Sequence, residues 1–160
     1  MAQVRKLLWL VSAFPAPLFL ASFGFAQPPE PEACDRTESA SSLQQGREAF
    51  ALHKNDVAAQ KFKQALAACP TGRSVLLDLA GAYLAERDFN QAINSAKEFL
   101  QAEPSSVPGH VMLANAYFMA QRFEDAKAES DRVLHIEPGQ PAALKIKGNV
   151  EFGIVSFSEA

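Results

Sequence analysis

Cys34 and Cys69 are the only two cysteines among the 160 residues, and two thiols either join as a disulfide or stay free. Export to an oxidising compartment favours pairing; otherwise both thiols stay reduced and Cys69 is simply a small buried residue. His53, His110 and His135 are scattered, with no cysteine or carboxylate at ligand spacing, so they are expected at the surface or at helix ends and no metal site is expected. The chain has no G-x-S-x-G elbow, no phosphate-cradling loop and no pair of carboxylates in an apolar setting. Acidic groups such as Glu124, Asp125, Glu129 and Asp131 read as solvated helix faces, some beside a cation such as Lys127. These side chains supply no catalytic constellation and require no cofactor, so an enzyme is not expected.

The composition is that of a globular domain with a sizeable core, 48% hydrophobic and 21% charged. A net charge of −3 lacks the clustered cations that displace counterions from phosphates, and nucleic acid is not an expected partner. At the amino end, Arg5 and Lys6 precede an apolar stretch from Leu7 to Phe25, with the small residues Gly24 and Ala26 at −3 and −1 of a cut. This is the pattern of a secretory signal over residues 1–26. Cleavage after Ala26 leaves 13 basic and 18 acidic residues, a mature charge of −5, in a periplasmic or secreted protein. The alternative is an uncleaved membrane anchor, which Pro15 and Pro17 weaken by interrupting a continuous helix. Residues 27–38, rich in proline, acids and small polar groups, are predicted to be a flexible leader.

The elements that position everything else come from Leu43 onward, where apolar residues recur at helical spacing with no sustained alternation of period two. Leu79–Ala92 reads LAGAYLAERDFNQA and Leu113–Ala126 reads LANAYFMAQRFEDA, sharing L-A-x-A-Y-x-x-x-x-x-F-x-x-A at an interval of 34 residues. Pro70, Pro104 and Pro138 keep the same interval, as do Ala58, Ala92 and Ala126. Proline cannot continue a helix and disfavours helical geometry in the residue before it, so each marks a helix end at one phase of the frame. The repeated residues are packing types.

This frame resembles the tetratricopeptide repeat, a helix-turn-helix unit of 34 residues with a small residue at its eighth position, an aromatic at the eleventh, alanine at the twentieth and proline at the thirty-second. The units would be 39–72, 73–106 and 107–140, with a partial fourth at 141–160. Ala80, Tyr83 and Phe89 fit the second unit, and Ala114, Tyr117 and Phe123 the third. The first unit departs from the pattern: Gly46 keeps the small residue, but Ala49 and Asn55 replace its aromatics. The resemblance implies an all-α, right-handed superhelical array of antiparallel helix pairs in which each unit covers its neighbour. Small beside large on one helix face, as in Ala80 and Tyr83, sets how closely helices cross and predicts buried tyrosines.

The same resemblance places Cys34 and Cys69 at neighbouring ends of the first helical hairpin, where a disulfide would tie the leader to that unit. It also implies a concave wall built from the first helix of each unit. Carried onto this chain, the lining is Leu43, Arg47 and Phe50 from the first unit and Leu77, Gly81 and Leu84 from the second. Val111, Asn115, Phe118 and Met119 follow from the third, and Lys145, Asn149 and Phe152 from the fourth. Such a wall suits a helix or extended peptide. The alternative is that Phe50, Leu84 and Phe118 pack among themselves and leave nothing open. Lys145 and Asn149 match half of the arrangement by which some members grip an acidic tail, but Ser74, Asp78, Pro108 and Met112 stand where its other cations belong, and clamp binding is not expected.

At the carboxyl end, FSEA from Phe157 to Ala160 matches the turn into a further second helix. Either residues 142–155 form a capping helix or the chain is the front of a longer protein, and the retained motif favours the second. Two functional readings follow. One is an envelope scaffold that binds a protein or peptide through the groove. The other is a partner-sensing or self-associating segment of a longer polypeptide.

Overall fold

Each proline of the 34-residue frame stands just past the end of a helix. The computed structural model describes residues 34–158, and there seven helices follow one another: α1 (Arg36–Ala51), α2 (Asn55–Ala68), α3 (Val75–Glu86), α4 (Phe89–Ala102), α5 (Val107–Met119), α6 (Phe123–Ile136) and α7 (Pro141–Ser158). Pro70, Pro104 and Pro138 follow α2, α4 and α6, and the residues before them, Cys69, Glu103 and Glu137, have left the helical region with ψ of 90°, 70° and 86°. The all-α class expected from the period is the one observed. The predicted signal segment lies outside the described residues.

A second periodicity sits in the turns. His53, Arg87 and Gln121, again 34 apart, adopt φ of 58°, 65° and 60°. Each closes its helix the same way. The amide of His53 donates to the Phe50 carbonyl and that of Lys54 to the Ala49 carbonyl; Arg87 and Asp88 bond Leu84 and Tyr83, and Gln121 and Arg122 bond Phe118 and Tyr117. This pair of bonds satisfies carbonyls left open at the helix end and turns the chain back on itself. The first helices of the units also touch in succession, α1 with α3, α3 with α5 and α5 with α7, so they line one side of the array.

The core is formed by small residues against large ones. Ala80 and Ala114 have no exposed surface, and the Tyr83 and Tyr117 rings beside them are buried, as predicted. The first unit reaches the same result by exchange. Its first helix carries Gly46 and Ala49, and Phe62 on α2, 1% exposed, fills the space; a Cβ on Gly46 would stand 2.6 Å from the Phe62 ring. At the corresponding place on α4 and α6 are the small residues Ala96 and Ser130. Asn55 takes the position of Phe89 and Phe123 at a second-helix start, and its Oδ1 is buried with no hydrogen-bond partner.

Two expectations are corrected. Helix α1 starts at Arg36, inside the stretch expected to be flexible, because the Asp35 carboxylate accepts from the amides of Thr37 and Glu38 and its own amide bonds the Ala68 carbonyl. At the other end α7 runs unbroken to Ser158, so Phe157 lies within a helix and not at a turn. No glycine or proline stands between Ile154 and Ser158 to stop it.

Candidate functional site

The groove arises where α5 and α7 run side by side as the first helices of successive units. Its size is about 650 Å³, and it opens to solvent. Of the residues predicted to line a concave wall, it gathers Val111, Asn115, Phe118 and Met119 from α5 with Lys145 and Asn149 from α7. Asn115, Met119, Lys145 and Asn149 are exposed, and Val111 and Phe118 are half-buried. The floor is therefore apolar, with two amides and one ammonium at its rim. Gln140 joins the wall while its Oε1 accepts from the amides of Ala142 and Ala143 at 2.6 and 3.0 Å, starting α7. Val107, Pro108, Met112 and Ile146 also contribute. Pro108 and Met112, which stand where an acidic-tail clamp would carry cations, add apolar surface to the groove.

The remaining predicted residues do other work. Arg47 donates from Nε and Nη2 to Asp78 Oδ2 at 3.1 and 2.8 Å, linking α1 to α3. Leu43 and Leu84 are partly buried and pack on the core, while Leu77 and Gly81 are half-buried on α3. Phe50 is 40% exposed, and Phe152, 78% exposed, lies outside the groove lining. Phe118 also packs on the core, its ring centre 5.9 Å from that of Phe123. Leu84 and Phe118 thus both take part in core packing. Phe118 lines the groove on one flank and packs on the core with the other, whereas Leu84 packs on the core and is not in the groove lining.

Cys34 and Cys69 are joined by a disulfide that ties the start of α1 to the end of α2. The histidines divide. His53 and His135 are exposed, but His110, expected at the surface or a helix end, is buried near the start of α5. Its Nδ1 lies 2.7 Å from Glu129 Oε2 and its Nε2 2.9 Å from the Pro104 carbonyl. A carbonyl only accepts, so Nε2 is the nitrogen that donates to Pro104. Among the described residues, no group of three or more His, Cys, Asp or Glu is placed to hold a metal ion.

Between units, lysines meet tyrosines. Lys63 Nζ is 5.3 Å from the Tyr83 ring centre and Lys97 Nζ 5.7 Å from that of Tyr117, with the Arg122 guanidinium 4.5 Å from the latter. In the next register Asp131 stands for the lysine and Glu151 for the tyrosine. There Lys147 Nζ bonds Asp131 at 2.6 Å, and this carboxylate holds the Lys147 ammonium above the ordinary lysine value.

Comparison with known proteins agrees with this geometry. A family model described as tetratricopeptide repeat matches residues 83–150. The yeast (Saccharomyces cerevisiae) small glutamine-rich tetratricopeptide repeat-containing protein 2 is 26% identical over 123 residues, and the match spans 77% of this chain but 35% of that protein. The first TPR domain of Spaghetti (RPAP3), solved with the HSP90 peptide SRMEEVD, superposes with a TM-score of 0.72 at 21% identity, over 78% of this chain and 99% of that one. The Sgt2 TPR domain from Aspergillus fumigatus gives 0.70 at 21% identity, over 77% and 83%. The fold is that of a tetratricopeptide-repeat array, and the tetratricopeptide-repeat family model matches its residues 83–150.

Proposed function

We propose that the array is a non-enzymatic protein-interaction module that holds an apolar peptide or helical segment of a partner along the groove between α5 and α7. The observation that carries this is the convergence of Val111, Asn115, Phe118, Met119, Lys145 and Asn149, from two separate helices, on one open apolar cleft. The similar Spaghetti domain was solved with an acidic peptide. Here Asp78 is already engaged by Arg47, Pro108 and Met112 make the wall apolar, and Lys145 is the one cation in the lining. A ligand matched to this surface is apolar, with backbone or polar groups that meet the two asparagines. Export to the periplasm or outside the cell is part of the proposal, and the basic-then-apolar amino terminus supports it, as does a cysteine pair placed to form a bridge.

The test compares an apolar peptide selected from a displayed library with the SRMEEVD peptide by fluorescence anisotropy. The selected peptide should bind and should lose about tenfold or more in affinity on Met119→Asp, with the helical signal unchanged. Preference for SRMEEVD, or indifference of the selected peptide to both Met119→Asp and Asn115→Asp, defeats the proposal.

A second reading keeps the fold and makes these repeats a partner-sensing or self-associating part of a longer polypeptide. The yeast relative, matched over about a third of its length, favours it. The reading frame beyond the codon for Ala160 separates the two.

A further inference from the structure

His110 and Glu129 stand where the second unit has Leu76 and Ser95, one interval of 34 residues earlier. Leu76 and Ser95 are buried, and the His110 and Glu129 side chains are only 8% and 12% exposed. A place that the second unit fills without charge is held here by two titratable groups. Nε2 of His110 donates to the Pro104 carbonyl at 2.9 Å, and Nδ1 lies 2.7 Å from Glu129 Oε2. A neutral ring that donates from Nε2 has only a lone pair at Nδ1, and an ionised carboxylate has only lone pairs. The two can bond only with a proton between them. The helix that carries His110 is also a bank of the groove: Val107, Pro108 and Val111 of α5 line the cleft, and His110 is turned away from it toward α6 and the end of α4. The Ser106 hydroxyl that caps this first turn accepts from the Gly109 amide at 3.5 Å, a long bond, so the two bonds of the His110 ring are its firmer side-chain ties.

We propose that the His110–Glu129 contact is a proton-operated latch on the α5 bank of the groove, closed while the ring carries a proton on Nδ1 and released when that proton leaves. It rests on the groove as the binding site and describes how that site is regulated. The charged and titratable groups that share the two cavities beside His110 are Lys97 from α4, Tyr117 from α5 itself, and Glu129, Asp131, Arg132 and His135 from α6. Among the described residues, α3 and α7 place none there. Lys97 lies over the Tyr117 ring, Asp131 is engaged by Lys147, and Arg132 stands 4.0 Å from the other oxygen of Glu129. Glu129 is thus the carboxylate that answers the ring. Acid keeps the latch closed, because a protonated Glu129 still accepts from Nδ1 through its carbonyl oxygen. Rising pH opens it: two lone pairs then face each other in a nearly dry place, and the first turn of α5, with Val107 and Pro108, is freed to shift.

The experiment compares the full chain with a double variant, His110→Leu with Glu129→Ser, which recreates the Leu76 and Ser95 pair and keeps the exposed His53 and His135. Without any ligand, imidazole nitrogen shifts report the proton on Nδ1, methyl shifts of Val107 and Val111 report the groove, and urea midpoints report stability, from about pH 5 to about pH 8. In the parent, the ring should lose its Nδ1 proton as pH rises, the methyl shifts should follow with the same midpoint, and the urea midpoint should fall. The double variant should show neither the methyl shifts nor the fall. The selected apolar peptide should bind the parent about fivefold more weakly at the upper end of the range, and the double variant equally at both ends. An Nδ1 proton that does not change, groove methyls that ignore its loss, an equal fall of stability in the double variant, or a parent affinity that ignores pH each overturn the latch. A peptide that binds at no pH counts against the groove reading instead, since the ligand-free measurements decide the latch by themselves.

Discussion

Lys63 on α2 stands over the ring of Tyr83 on α3 in the next repeat, 5.3 Å from Nζ to the ring centre, and Lys97 repeats the relation with Tyr117. The tyrosine is thus the point where one unit grips the next. Tyr117→Ala should lower stability by about 3–5 kcal/mol in urea unfolding, the range for truncating a large buried aromatic. Lys97→Met should cost about 1 kcal/mol or less, because its ammonium reaches the ring from the solvent side. Equal losses in the two variants would contradict a ring that acts through burial.

Gly46 and Phe62 form a size-matched pair. Gly46→Ala should destabilise by about 1–3 kcal/mol, since the new methyl would press on a ring with no room to move. Phe62→Ala alone should cost about 3–5 kcal/mol. The double variant recreates the Ala80 and Ala96 pairing of the second unit, so its loss should fall short of the sum of the two single losses. Strict additivity in a double-mutant cycle would show the pair to be uncoupled.

Gln121 occupies a left-handed turn position with no glycine. Gln121→Gly should raise the unfolding free energy by about 0.5 kcal/mol, the strain relieved being partly offset by the freedom glycine adds to the unfolded chain. Gln121→Val should lower it by about 1 kcal/mol. Thermal melts of the two variants should move in opposite directions.

Asn55 holds the socket that Phe89 and Phe123 fill in the other units, with a buried oxygen that finds no donor. Asn55→Phe should stabilise the first hairpin by about 1 kcal/mol, measured as a higher urea midpoint at constant slope. A lower midpoint would show that the socket in the first unit has a different shape.

Replacing both Cys34 and Cys69 by serine should cost about 2–4 kcal/mol through the loss of a constraint on the unfolded chain. Adding reductant to the parent protein should reproduce the shift and leave the double variant unaffected. Equal stability of parent and double variant without reductant would contradict a bridge that contributes to folding.

Much of this architecture is legible in the chain because packing repeats by residue type: Ala80 with Ala114, Tyr83 with Tyr117 and Pro70 with Pro104 recur at a fixed interval. The turns are not legible in that way. His53, Arg87 and Gln121 share a conformation and no chemistry, because the geometry of two helices closing on a short connection imposes it. Contacts between units escape local reading too, as with Arg47 and Asp78, 31 residues apart, and His110 and Glu129, 19 apart. The lysines over the tyrosines were available, since Lys63 and Lys97 keep the period, but surface lysines carry little weight without a ring beneath them. The groove was half legible: Val111, Asn115, Phe118, Met119, Lys145 and Asn149 converge on it, whereas Leu84 and Phe152 lie outside its lining and Phe118 divides its surface between cleft and core.

The helix that forms one bank of the cleft, α7, is braced by α6 and α5, and its Leu144 and Phe152 are exposed. Local opening starts at such an edge, and whatever binds the closed form shifts that balance toward it. On the proposed groove binding, a guest lodged against Lys145 and Asn149 anneals α7 onto α5, so that recognition of a ligand and the firmness of that helix rise and fall together.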